Sequence, residues 1–115
     1  MAQAARFIRE HISRGIKVED VALAVNASRR VLEPRFVRAL GRTPHDEIVR
    51  IRFRLVEELP QTTDLELAVI AHRCGFRHAE HMTAAFARRH GTSPSQWRRM
   101  NRRRSPAAAG GFLRR

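Results

Sequence analysis

Residues 21–44, VALAVNASRRVLEPRFVRALGRTP, and residues 70–94, IAHRCGFRHAEHMTAAFARRHGTSP, are two versions of one unit. Val21-Ala22 returns as Ile70-Ala71, and Val25 as Cys74, at an offset of 49. Leu32, Phe36, Gly41 and Pro44 return as Met82, Phe86, Gly91 and Pro94 at an offset of 50, so the second copy has one extra residue between its matching halves. Apolar matches at helical spacing arise easily by chance. The glycine and proline matches are harder to dismiss, because they mark where one helix stops and the next begins. Each copy reads as helix, short turn, helix. That is the helix-turn-helix geometry, whose second helix enters the major groove while its first crosses the backbone. One match would be weak, since any helical hairpin resembles it. Two matches, each with a basic second helix, are considerably stronger.

Outward from this repeat, helix signals continue and no strand signal competes. There is no tyrosine and no run of alternating β-branched residues. The pattern predicts helices over residues 2–14, 18–25, 28–40, 44–59, 65–74, 79–90 and 94–101. Ser28 and Thr43 are good N-caps, Pro44 suits a first helical position, and Pro60 is expected to stop the fourth helix. The predicted fold class is all-α: seven helices forming two helix-turn-helix subdomains joined by a long linker helix, in the homeodomain-like manner. The expected divisions are a first subdomain over 1–42, the linker helix over 43–60, a second subdomain over 61–104 and a flexible tail over 105–115.

Composition narrows the partners. The chain has 115 residues with 23 Lys and Arg against 11 Asp and Glu, a net charge of +12. Lys17 is its only lysine. This excess points to nucleic acid or another anionic surface, and arginine suits bidentate contacts to phosphate and guanine. The charge is not confined to one end: residues 28–42 carry +4, residues 73–97 carry +3 and residues 98–115 carry +7. With 43% hydrophobic residues the chain has enough for a packed core. No apolar run approaches membrane-spanning length and the first residues carry charges, so neither a membrane span nor secretion is expected. The single cysteine, Cys74, excludes an intrachain disulfide and fits a reducing cytoplasm, with the protein associated with the nucleoid.

A helical wheel separates the faces of the two second helices. Leu32, Phe36 and Leu40 form the expected buried stripe of the first, with Arg30, Pro34 and Arg38 opposite. Glu33 and Val37 flank that exposed side on one edge, and Val31 and Arg35 on the other. In the second unit Met82 and Phe86 are expected inside, with Glu80, Ala84 and Arg88 outside and His81 alongside. N-terminal residues of a recognition helix reach furthest into the groove. Arg30 is therefore expected at a guanine edge and Glu33 at a cytosine amino group.

These residues carry a resemblance. VEDVALAVNASRRVLEPRF (18–36), ALGRTPHDEI (39–48), TDLELAVIAHRCGF (63–76) and FARRHGTSPSQWR (86–98) resemble the C-terminal DNA-binding domain of AraC/XylS transcription regulators, over about residues 4–99. Within that family SRRVLEPRFVRALGRTPHDEI and CGFRHAEHM are most similar to xylose operon regulators. The resemblance implies seven helices and sequence-specific binding of double-stranded promoter DNA. It also implies control of sugar catabolic genes, activation through RNA polymerase, and an N-terminal sensor domain in the full-length protein. The family's base-reading positions fall on Arg30, Glu33 and Pro34, and on Ala79, Glu80, His81 and Ala84. With the wheel, the candidate DNA-binding set is Ser28, Arg29, Arg30, Glu33, Pro34, Arg35 and Arg38, then Arg77, His78, Ala79, Glu80, His81, Ala84 and Arg88. The chain departs from the family pattern at Pro34, Pro60, Lys17, Glu66 and Ala84. Unequal sequence information from the two units is therefore expected.

Competing readings are weaker. Cys74, His78, His81 and His90 lie within 17 residues, but there is no CxxC and no zinc spacing, so no metal or cofactor is expected. No nucleophile–base set, paired carboxylates or phosphate loop suggests an enzyme. An arginine-rich module binding RNA or protein is the alternative, although the aromatic sheets of RNA modules are missing.

Overall fold

The structure, a computed structural model, describes residues 1–102. Seven α-helices run in order: α1 (Ala2–His11), α2 (Val18–Ala24), α3 (Arg29–Leu40), α4 (Pro44–Thr62), α5 (Leu67–Arg73), α6 (Ala79–His90) and α7 (Pro94–Arg102). A 3-10 turn over Ile12–Arg14 follows α1 and ends at Gly15, in the left-handed conformation. The expected tail over 105–115, and residues 103–104 of the expected second subdomain, lie outside the described residues.

The repeat is a structural one. Gly41 and Gly91 terminate α3 and α6 at φ of 77° and 72°, and their N–H groups return to the Val37 and Ala87 carbonyls at 2.7 and 2.8 Å. The Thr43 and Ser93 hydroxyls accept from the N–H groups of Asp46 and Gln96, at 3.1 and 3.2 Å, capping the helices that open with buried Pro44 and Pro94. The two helix-turn-helix turns also correspond. Ala27 donates to the Ala22 carbonyl at 3.0 Å, and Phe76 to the Ala71 carbonyl at 2.9 Å. Asn26 and Gly75, at matching positions, both have positive φ, 55° and 87°.

Two apolar cores result. Ile8, Ile12, Val21, Leu32, Phe36, Ile48 and Ile51 belong to the first, and Val56, Ile70, Cys74, Met82 and Phe86 to the second. The N-terminal half of α4 feeds one core and its C-terminal half the other. Leu55 packs against both.

Sequence expectations are corrected at three boundaries. Pro60 does not stop α4, which continues to Thr62. A proline in the last turn removes only its own N–H, and the nearby carbonyls are occupied. Gln61 and Thr62 donate from their side chains to the Glu57 and Glu58 carbonyls, and Thr63 to that of Leu59. The helix α5 begins at Leu67 rather than residue 65, behind Glu66, which makes no side-chain cap. The first helix gives way to the 3-10 turn after His11. Pro34, by contrast, leaves α3 continuous over its 12 residues.

Candidate nucleic-acid interface

The two second helices expose the faces that the wheel selects. Leu32, Phe36, Met82 and Phe86 are fully buried. Ser28, Arg29, Arg30, Pro34, Arg35 and Arg38 are exposed on the first unit, and Arg77, His78, Glu80, His81, Ala84 and Arg88 on the second. Glu33 and Ala79 are half-buried, and Ala79 packs against the second core. Arg30, Glu33, Pro34, Val37 and Arg38 of α3 line an open depression together with Thr43. Because α3 runs through Pro34, which has no N–H to offer, the Arg30 carbonyl lacks its usual helical donor beside that depression.

Charge sorts these residues further. Arg29 is not a free cation. Its Nη1 donates to Glu19 Oε2 at 2.7 Å and its Nε to Glu33 Oε2 at 3.0 Å. Its hydrogen bonds to Glu33 and then Glu19 hold the Arg29 guanidinium above its ordinary value. Arg29 thus braces α3 against α2, and Glu33 is already engaged when a base approaches. Ser28 likewise has a structural task, since its Oγ accepts from Val31 N–H at 3.2 Å. Among the described residues no carboxylate pairs with Arg30, Arg35, Arg38, Arg77 or Arg88. His78 and His81 meet edge to face at 5.5 Å between ring centroids.

Other arginines in the positive segments are committed inside the fold, which the sequence did not reveal. Glu47 is buried and accepts from Arg42 Nη1, Arg50 Nε and Arg50 Nη2, each at 2.9 Å. Arg50 and then Arg42 hold its carboxyl below the ordinary range, against the opposing effect of burial. Arg98 on α7 donates to the Pro60, Thr63 and Leu65 carbonyls at 3.0, 3.2 and 2.7 Å, and Arg102 reaches Thr63 and Asp64. Trp97 donates to the Glu57 carbonyl at 3.0 Å and meets Phe86 edge to face at 5.6 Å, plugging the second core.

The metal candidates do not converge. Cys74 is buried in the second core, where burial pushes its thiol up to about 12. His90 stacks on Phe86 at 4.3 Å and faces Glu57 at 3.0 Å, away from exposed His78 and His81. Among the described residues no group of three or more potential ligands forms.

A helix-turn-helix domain family model matches residues 21–100, which includes both units. The chain belongs to the AraC-type helix-turn-helix family of DNA-binding transcription regulators. Its similarity to AraC-type proteins is specific in length and fold. The xylose operon regulatory protein of Escherichia coli K12 is 33% identical over 99 residues, which cover 86% of this chain and 25% of that protein. The DNA-binding domain of AdpA, solved with a target DNA, superposes with a TM-score of 0.81 at 30% identity, over 91% of this chain and 95% of that one. The xylose-binding transcription activator XylR gives 0.72 at 33% identity, over 85% of this chain and 26% of that one. The chain thus spans about a quarter of the length of the xylose regulators it matches. The expected family, its likeness to xylose operon regulators and the all-α fold all stand. The family is a DNA-binding domain of transcription regulators. No described helix is long and apolar enough to cross a membrane.

Proposed function

We propose that a single chain of this AraC-type domain reads a bipartite, non-palindromic duplex site with α3 and α6. The observation that carries this reading is the pair of equivalent, outward faces whose Arg30, Arg35, Arg38, Arg77 and Arg88 have no carboxylate partner among the described residues, while Arg42, Arg50, Arg98 and Arg102 are spent on internal acceptors. Arg30 reads a guanine edge from the N-terminal turn of α3, and Glu80 and His81 occupy the corresponding turn of α6. Arg35, Arg38, Arg77 and Arg88 hold phosphate. Ser28, Pro34, His78, Ala79 and Ala84 shape the fit, and Arg29 with Glu33 keeps α3 in place. Ala84 offers no hydrogen bond, so the second half-site contributes less sequence information than the first.

The 19 residues of α4 span about 28 Å, and successive major-groove faces on one side of a duplex recur about every 34 Å. That match supports simultaneous entry of both helices with modest bending. The complex AdpA makes with a target DNA supports the same class of partner. By likeness to the xylose and rhamnose regulators, the genes controlled concern sugar catabolism, with an N-terminal sensor domain and RNA polymerase as partners in the nucleoid.

Footprinting on promoter fragments, with titration of stoichiometry, tests the reading. Protection of about 20 base pairs by one chain is expected. Protection of one half-site at 1:1, or a need for two chains to cover both, would overturn it. Competition with RNA separates the arginine-rich alternative, which predicts equal displacement by both nucleic acids.

A further inference from the structure

The internal repeat supplies its own comparison for one position. Asn26 and Gly75 occupy equivalent turns with the same pattern of backbone hydrogen bonds, and both have positive φ. The turn conformation therefore does not by itself demand glycine, since asparagine adopts it in the first unit. What differs is the surroundings. Asn26 is exposed, whereas a Cβ on Gly75 would collide with the Ile12 carbonyl oxygen and lie 3.2 Å from Arg52 Nε. Ile12 belongs to the first core, Gly75 to the turn of the second unit, and Arg52 to the helix between them.

The contact is reciprocal. A Cβ on Gly15, at φ +67°, would lie 3.2 Å from the Gly75 carbonyl oxygen. Arg52 completes the joint: its Nη2 donates to the Ile16 carbonyl at 3.3 Å, and its guanidinium lies 5.7 Å from the centroid of the Phe76 ring. Its Nε is buried without a partner, a cost that the surrounding contacts of the joint offset. Gly41 and Gly91 share the left-handed conformation, but a Cβ on either meets nothing within 4 Å.

We propose that the Gly15–Gly75 contact, bracketed by Arg52, is a joint that fixes the separation and rotation of α3 and α6, and so selects the spacer length between the two half-sites. This rests on the bipartite reading above. At Gly15 and Gly75 the two units meet backbone to backbone, with only the Arg52 side chain beside the contact. A Cβ at Gly75 forces the units apart, and one at Gly15 presses on the same joint more gently, and neither touches a DNA-facing residue. Each added base pair turns the second half-site by about 35° and moves it about 3.4 Å, so a stiff protein must distort the duplex to follow.

The test uses the full chain and a duplex it selects from a randomised library, with the spacer then changed by one base pair in either direction. The wild type is expected to lose about tenfold in affinity for the altered spacers, within the usual cost of deforming DNA. Gly75→Asn imports the residue the first unit uses, and Gly15→Ala acts from outside both turns. Each is expected to reduce that loss to less than about threefold, with binding to an isolated half-site unchanged. Gly41→Ala, which carries the same backbone strain without the collision, keeps the wild-type profile.

Distances between spin labels at Ala39→Cys and Ala87→Cys, with Cys74 buried, supply a measure without DNA. They are expected to broaden in both joint variants. A spacer profile and label distances unchanged in folded Gly75→Asn and Gly15→Ala overturn the joint. An effect in Gly75→Asn alone also overturns it, because it would reside in the turn. A wild type that selects one half-site, or tolerates every spacer, fails the bipartite reading instead and takes the joint with it.

Discussion

Glu47→Gln is the substitution whose cost the structure defines best. The Glu47 side chain is 5% exposed and receives three arginine N–H donors at 2.9 Å. Hydrogen bonds to a charged group contribute about 1.5–3 kcal/mol each in stability measurements. The full sum does not apply, because the Arg42 and Arg50 side chains are 40% exposed and regain water when the carboxylate is removed. Glutamine keeps the shape and one acceptor oxygen but loses the ionic part. The expected loss is about 2 kcal/mol at neutral pH, or about 10 °C in Tm for a domain of this size. The sign of the pH dependence follows from the lowered carboxyl. Its ordinary value is 4.5, and the arginines depress it in the folded state. Stability from the ionised group is therefore complete above 4.5 and is lost as pH falls through the folded value. Urea unfolding followed by far-UV circular dichroism should show wild type and variant separated at neutral pH and converging in acid. An equal gap at both ends of that range, or none at neutral pH, would refute the ionic account.

Three further outcomes are expected. If Arg35, Arg38, Arg77 and Arg88 are the phosphate contacts, the log–log slope of DNA affinity against salt is about −3.6, and a flat response would remove nucleic acid as the partner. Arg30→Ala should cost about 1–3 kcal/mol on the selected site and relax preference at one position, whereas Arg88→Ala should weaken all sequences alike; uniform loss in both would displace Arg30 from its base. Cys74, with its thiol pushed up to about 12, should resist alkylation at mildly alkaline pH in the native protein and react once urea unfolds it. Prompt labelling of the folded chain would contradict its burial.

The helices and their order were legible because each signal was local. Matched Gly41 and Gly91, Pro44 and Pro94, and the spacing of Leu32–Phe36 and Met82–Phe86 are properties of short stretches, and the structure keeps all of them. Pro60 misled because a proline rule covers the backbone alone, whereas α4 is carried past it by the side chains of Gln61 and Thr62. Charge was legible only as a total. The segment over 28–42 contains Arg29 and Arg42, held by nearby carboxylates of Glu19, Glu33 and Glu47, and that over 98–115 contains Arg98 and Arg102, held by acceptors more than thirty residues back. Only α7 lying along the end of α4 distinguishes an arginine that reaches outward from one that ties a loop. Gly75 was hidden for the same reason: in the sequence it is a turn glycine, and its neighbour Ile12 lies far back in the chain.

The presence of Leu55 in both cores has a consequence for how such domains can be recombined. Were the two units independent cassettes, a junction anywhere in α4 would let one recognition half be exchanged for that of a relative. Here a crossover between Ile51 and Val56 would join half of one core to a foreign partner, and Leu55 would face two surfaces of which it was shaped for one. Hybrids that retain α4 with its own flanking residues should fold, and those cut within it should not. In such a lineage the base-facing residues of α3 and α6 are free to drift one at a time, while the interior of α4 changes only in concert with both lobes.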